Sequence, residues 1–350
     1  MEKIIVIGSN SFSGAHFVDY ALEQGADVIG ISRSPEPHPV FLPYKKRQNP
    51  SFRGHISEAR RDRNVSSPDP NPSFRFYQMD LNQDIPGIMK ISDEFEPDYV
   101  VNFAAQSMVA ESWQHPEHWF QTNAVATIKL HDELRKRTYL KKYVHISTPE
   151  VYGSCEGLVK ENTSYQPSTP YAVSRAATDM SLMSFCKAYD FPVAFTRAAN
   201  VYGPGQQLYR IIPRTILFFL IGRKLQLHGG GHSVRSFIHI RDVADGTLRV
   251  ARQASPGEIY HFSTSRNISI RELVEMIAAQ LGLSFTDQVE VVRERLGKDA
   301  AYLLDSANAR EKLGWQDQIT LEQGIEETIS WVRDNLEEIK KQPFDYIHKP

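Results

Sequence analysis

Two rhythms alternate along this chain. Short continuous apolar runs, as in strands buried on both faces, are each followed by stretches whose apolar positions recur every three or four residues, as in helices with one buried face. Ile4-Ile5-Val6-Ile7 is the first run, and Phe17, Val18, Ala21 and Leu22 mark the helix after it. Further strands are predicted at 28–31, 74–78, 99–103, 142–147 and 191–197. This alternation predicts an α/β fold built on a doubly wound parallel sheet, a Rossmann domain, over residues 1–200, with about 235–265 returning to it. Residues 201–234 and 266–340 are assigned to a smaller C-terminal α/β lobe for substrate, with amphipathic helices at 270–283 and 321–336. The rhythm breaks at 35–73, where eight prolines punctuate a polar, basic stretch. That stretch is read as an insertion over the second crossover, with little power to bury a core. The tail, 341–350, has no periodicity and is expected to be disordered.

The first strand runs into Gly8-Ser9-Asn10-Ser11-Phe12-Ser13-Gly14 and then a helix, which is the dinucleotide-binding arrangement. Gly8 permits the tight turn and Gly14 a close helix-to-strand approach. The helix N-terminus offers N–H groups to a pyrophosphate. Ser11 stands where the fingerprint has its middle glycine. The second strand ends in Ser32-Arg33-Ser34 rather than a carboxylate. A guanidinium and hydroxyls suit a ribose 2′-phosphate, so NADP is favoured over NAD, unless Arg33 stacks on the adenine or faces water. Asp80, beside Leu81, accepts from the adenine amino group or caps the next turn. Small residues at Ala104-Ala105-Gln106-Ser107 let a cofactor lie against the backbone, and the following helix carries Asn123. Tyr171 and Arg175 are one helical turn apart, and a cation there favours tyrosinate, a base for an alcohol beside a nicotinamide.

Composition narrows the classes. The chain has 350 residues, 41% hydrophobic and 23% charged, with a net charge of -2, so no basic field points to nucleic acid. Cys155 and Cys186 give no disulfide framework and no metal-ligand spacing, and no metal is expected. His232, His239 and His261 are treated as structural. The longest apolar run, 216–221, is too short to span a bilayer. With no signal peptide evident, a cytoplasmic location is expected.

These pieces resemble the extended short-chain dehydrogenase/reductases that act on nucleotide sugars, most of all the NDP-hexose 4,6-dehydratases of the dTDP-glucose and GDP-mannose kinds. The matching segments are Ala104-Ala105-Gln106-Ser107, Ser147-Thr148-Pro149-Glu150-Val151-Tyr152-Gly153, Pro170-Tyr171, Arg197 to Gly205, Arg235-Ser236-Phe237-Ile238-His239 with Asp242-Val243, and Arg295 to Asp299 leading to Leu313-Gly314-Trp315. The resemblance implies that Tyr171 is the base at the sugar C4 hydroxyl and that Thr148 hydrogen-bonds that hydroxyl. The cofactor takes hydride from C4, Glu150 removes the C5 proton, water leaves from C6, and the hydride returns to C6. It also implies substrate contacts from Ser107, Asn200 and Arg214, with Arg235 and Arg295 gripping the pyrophosphate. A homodimer, or a dimer of dimers, is implied through the helix near Asn123 and the helix beginning at Tyr171, where Met180, Leu182, Met183 and Phe185 are apolar enough for an interface or equally for the core.

The chain departs from the family pattern twice. The family's lysine is Arg175, which keeps the charge in a bulkier planar fork. The aspartate that the dTDP-glucose enzymes place before the glutamate is Pro149, which donates nothing. The competing readings are a C4, C5 or C3/C5 epimerase or a 5,6-dehydratase on the same scaffold, and a non-catalytic nucleotide-sugar binding protein.

Overall fold

Seven parallel strands form one sheet. They are β1 (Lys3–Ile7), β2 (Asp27–Ser32), β3 (Phe74–Gln78), β4 (Tyr99–Asn102), β5 (Lys142–Ile146), and the strands Val193–Ala198 and Ile259–Phe262. Their spatial order is Ile259–Phe262, Val193–Ala198, β5, β4, β1, β2, β3. The structure, a computed structural model, describes residues 1–48, 73–155, 157–293 and 303–349. Strand order reverses at β1, which pairs with β2 on one side and β4 on the other. In open sheets of this kind the ligand crevice lies at that reversal, outside the carboxyl ends of the strands.

The sheet explains why its strands read as unbroken apolar runs. Along β1, Ile4 and Val6 enter one core with Phe17, Val18 and Leu248. Ile5 and Ile7 enter the opposite core with Ile88, Leu130 and Leu182. Both faces are covered by helices, so neither face of the pleat is polar. Each of these isoleucines is at most 2% exposed, and burying one stabilises the fold by about 1.5–3 kcal/mol.

A third core joins the helices Ile211–Leu220, Ile270–Leu281 and Leu321–Asp334 through Ile216, Leu217, Leu273, Ile277, Ile325 and Val332. It carries a three-stranded sheet, Asn267–Ser269, Val234–His239 and Asn200–Tyr202, and a two-stranded one, Leu225–His228 with Val289–Val292.

Two expectations are corrected. The start of the proline-rich stretch is core rather than solvated loop: Tyr44 is fully buried, with its ring 4.6 Å from Phe74, and Trp331 Nε1 donates to the Val40 carbonyl. Residues 49–72 lie outside the described residues. The tail, expected to be disordered, is packed as far as Lys349. Phe344, Tyr346 and His348 alternate along it, and these rings meet Phe218, Tyr209 and Trp119 respectively. Absence of helical periodicity excluded a helix; it did not exclude an extended segment docking on aromatic partners.

Candidate active site

The turn after β1 is built for close approach. Gly8 has φ +81°, and a Cβ there would come within 2.6 Å of the Ala104 nitrogen. A Cβ on Gly14 would meet the Gly8 carbonyl at 2.2 Å. Ser11 caps the helix α1 (Phe12–Glu23), its hydroxyl accepting from the Gly14 N–H at 3.0 Å. Above this turn lies a groove of about 440 Å³. Its walls include Gly8, Ser11, Ser32, Arg33, Asp80, Leu81, Ala104, Ala105 and Gln106. A glycine turn, a capped helix N-terminus and small wall residues at the sheet's reversal fit a dinucleotide. Phe12 stands off this wall and lines the adjoining cavity with Ser11 and Ala105.

Several cofactor candidates do less direct work than their sequence positions suggested. The Ser32 hydroxyl accepts from the Asn10 N–H at 3.0 Å, holding the turn. Asp80 accepts from the Asn82 N–H at 2.8 Å, as a local cap does. Asn123 sits in a π-helical turn, Phe120–Ala126, fully buried behind the wall. Its Oδ1 accepts from the Gln106 N–H at 2.7 Å and its Nδ2 donates to the Gln106 carbonyl at 3.0 Å. It braces the 104–106 segment and does not face the groove. Arg33 Nη2 donates to the Lys349 carbonyl at 2.9 Å, and Lys349 Nζ donates to Ser34 Oγ at 3.2 Å. The groove's carboxylate near the end of β2, Glu36, is engaged by the Tyr44 hydroxyl and Lys45.

Beside the groove a second cavity of about 520 Å³ brings together Ser107, Thr148, Glu150, Tyr171, Arg175 and Asn200. Thr148 follows β5 and caps the short 3-10 turn Pro149–Tyr152, which places Glu150 in its first turn. Tyr171 opens the helix Pro170–Tyr189, whose N-cap Thr169 accepts from the Ala172 N–H at 3.1 Å. Burial raises the Tyr171 phenol pKa, and the Glu150 carboxylate raises it further. Arg175, the Thr148 hydroxyl that hydrogen-bonds the phenol, and Arg210 all act to lower it. The net direction is upward. That corrects the expectation that Arg175 by itself favours tyrosinate. The guanidinium is spent elsewhere: Nη2 donates to His145 Nε2 at 3.1 Å and to the Ile146 carbonyl. Its Nη1 is buried with no hydrogen-bond partner, a donor suited to a ribose hydroxyl.

Behind the cavity, Asp179 anchors the end of β5. It accepts from Ser147 Oγ at 2.7 Å and from Arg197 Nη2 at 2.7 Å, in a pair with no exposed side-chain surface. Burial holds the His145 pKa well below its ordinary value, so a neutral ring faces Arg175.

The substrate candidates are scattered. Asn200 lines the catalytic cavity and donates to the Ser236 carbonyl at 3.0 Å. Arg214 lines a separate cavity of about 460 Å³ with Tyr209, Arg223 and Lys224, where Asp345 of the tail pairs with it at 3.0 Å. Arg235 Nη1 donates to the Val234 carbonyl, and the residue is not among those lining either cavity. Arg295 lies outside the described residues. Sequence reasoning did not single out Arg210, which lines the catalytic cavity within electrostatic reach of Tyr171. Its only signal was membership of the segment before the Ile211–Leu220 helix.

The family model for GDP-mannose 4,6 dehydratase matches residues 5–328. A dTDP-glucose 4,6-dehydratase of Streptomyces antibioticus is 32% identical over 97% of this chain and 96% of its own. One from Haemophilus influenzae is 30% identical over 95% and 98%. Among solved structures, the dTDP-glucose 4,6-dehydratase of Streptomyces venezuelae, determined with NAD bound, superposes with a TM-score of 0.81 at 28% identity, covering 96% of this chain and 98% of that one. A UDP-glucose 4-epimerase of Thermotoga maritima reaches 0.80 at 25% identity, covering 95% and 99%.

Proposed function

The chain belongs to the GDP-mannose 4,6 dehydratase family, and from that premise we propose that it removes water from a nucleoside diphosphate hexose by oxidising C4, eliminating across C5 and C6, and reducing C6. The observation that carries this reading is one cavity holding Thr148, Glu150 and Tyr171 directly beside the dinucleotide groove.

A nicotinamide dinucleotide held in the groove by Gly8, Ser11 and Ala105 would supply a hydride acceptor for C4 and a hydride donor for C6. Tyr171 takes the proton of the C4 hydroxyl, with Thr148 orienting that hydroxyl and the phenol together. Oxidation at C4 makes the C5 proton acidic, and the Glu150 carboxylate removes it. Pro149 has no proton to give. Glu150, now protonated, therefore passes its proton to the departing C6 hydroxyl, which leaves as water; when C6 is reduced, C5 takes back one proton, balancing the one that Tyr171 removed from the C4 hydroxyl. Asn200 and Arg210 hold the sugar diphosphate, and the cavity at Arg214 takes the nucleotide end. Arg175 acts through its buried Nη1 on the cofactor ribose.

The sharpest test replaces Glu150→Gln. That variant still oxidises C4, seen as reduced-cofactor absorbance, but releases no product 18 Da lighter. Normal dehydration by it overturns the assignment. Altered NMR without a mass change in the wild-type product selects an epimerase. Tight binding with no turnover selects a binding protein.

For the cofactor, Ser32, Arg33 and Ser34 with Lys349 close by support NADP, although solved dehydratase neighbours carry NAD. NADP is expected to bind more tightly than NAD in fluorescence titrations; the reverse order reassigns Arg33. A homodimer is supported by Val173 and Met180, which lie two turns apart on the Pro170–Tyr189 helix and are 37% and 60% exposed. Leu182, read as either interface or core, is fully buried in the core, and Met183 and Phe185 pack against it.

A further inference from the structure

Outside the catalytic cavity, and among the described residues, His115, Glu117 and His118 place one ligand atom each within 4.8 Å of one another. His115 Nδ1 is 3.8 Å from Glu117 Oε1, and His118 Nε2 is 3.7 Å from the same oxygen. The ligand atoms of a tetrahedral zinc ion, with bonds of about 2.0–2.1 Å, stand about 3.4 Å apart, so small rotations of two exposed side chains close this set. The other nitrogen of His118, Nδ1, is 2.9 Å from Nε2 of His348, brought there by the C-terminal segment. The three imidazoles are nearly parallel, and His348 is within 9° of parallel to the Trp119 ring at 5.2 Å. The next residue, Lys349, gives its carbonyl to Gln106 Nε2 at 2.7 Å as well as to Arg33, on the wall of the dinucleotide groove.

We propose that His115, Glu117 and His118 bind a divalent transition-metal ion of the zinc class, and that His348, as the hydrogen-bonded partner of the ligand His118, makes this ion a latch holding the C-terminal segment against the cofactor groove. The two nitrogens of His118 divide the work. When Nδ1–H donates to His348 Nε2, Nε2 keeps its lone pair on the side facing Glu117. A ligating histidine of a metal site characteristically gives its second nitrogen to such a partner, which raises its basicity as a ligand. Conversely, a metal on Nε2 draws electron density from the ring and makes Nδ1–H a stronger donor toward the tail. The coupling is reciprocal: ion binding favours the docked tail, and the docked tail favours ion binding. Two imidazoles and one carboxylate select zinc, copper, nickel or cobalt over magnesium or calcium, and leave a fourth position for water. The plain alternative is a pair of exposed histidine–glutamate contacts that contribute little to stability.

The test uses the full-length chain without a histidine tag, stripped with chelator. Zn²⁺ is titrated by calorimetry, Co²⁺ by visible absorbance, and hydrogen exchange is followed over residues 343–349 with and without Zn²⁺. One ion per chain, cobalt absorption bands and slower exchange of the tail with Zn²⁺ are expected, with no response to Mg²⁺. His118→Gln and Glu117→Gln, each with wild-type circular dichroism, lose the site. His348→Gln still binds Zn²⁺, with affinity lowered roughly 10-fold or more, and its tail exchange no longer responds to the ion. Absence of saturable binding, equal binding by both ligand variants, or tail exchange indifferent to Zn²⁺ in the wild type overturns the proposal.

Discussion

At the scale of single residues, the chemistry proposed above turns on where the proton of one phenol sits. Tyr171 is buried and faces a carboxylate, and both push its pKa up. A base with a raised pKa is less often deprotonated at neutral pH, so the charges that oppose the shift matter to the rate. Arg210 is one of them. In Arg210→Gln that lowering influence is gone, so the phenol pKa rises further and a higher pH is needed to ionise it. The acid limb of the kcat–pH profile is therefore expected to move to higher pH, with the plateau less affected than the limb. An unshifted limb would separate Arg210 from the phenol's titration. Arg175 is another of these opposing charges, and the larger, although its fork is shared with His145 and a backbone carbonyl.

At the scale of elements, helices pack so closely on the sheet that a titratable ring is caught between them. His131, on the helix Thr127–Leu134, is fully buried. Its ring lies 4.5 Å from Phe185 and 6.2 Å from Phe191, and Nε2 is 3.2 Å from Ser181 Oγ. Burial lowers its pKa from 6.5 to about 4. The unfolded chain therefore binds a proton at a pH where the folded one does not. The stability this group contributes is present above pH 6.5 and is lost as pH falls toward 4. Between pH 6.5 and 5 the loss is about 2 kcal/mol. His131→Leu, which suits the aromatic neighbours, is expected to shrink the fall in urea-unfolding stability between pH 7 and 5 by about that amount. An unchanged fall would assign the acid sensitivity to other groups, of which the buried His261, with a pKa near 3, is the first candidate.

At the scale of the whole molecule, two features outside the catalytic cavity connect it to its surroundings. One is the C-terminal segment, which meets the Arg214 cavity through Asp345 and the dinucleotide groove through Lys349. The other is the apolar face of the Pro170–Tyr189 helix. Phe120 and Val125, on the neighbouring π-helical turn, are also partly exposed, at 37% and 41%. Met180→Glu places a charge on this face without touching the core. For the homodimer proposed above, it is expected to shift sedimentation from dimer toward monomer while leaving thermal stability of the subunit fold nearly unchanged. Among the described residues no helix is long and apolar enough to cross a membrane.

Local rules and their order along the chain determined much of this protein. Apolar runs buried on both faces, a glycine turn that admits no Cβ, and a tyrosine one turn before a cation are visible in sequence because each rests on neighbouring residues. They sufficed for the parallel sheet and the glycine turn under its groove, whereas Thr148, Glu150 and Tyr171 were brought together by resemblance to a family rather than by local rules. What the sequence could not weigh was competition between distant partners. How Arg175 divides itself between Tyr171 and His145, whether Asn123 lines the groove or braces Gln106, and whether an aperiodic tail floats or docks on Tyr209 and Trp119 are settled by groups far apart in the chain. The fold brings these groups together, and burial then multiplies the strength of each charge and hydrogen bond it encloses. The trio of His115, His118 and His348 belongs to the same class, since two of its rings come from one short turn and the third from the far end of the chain.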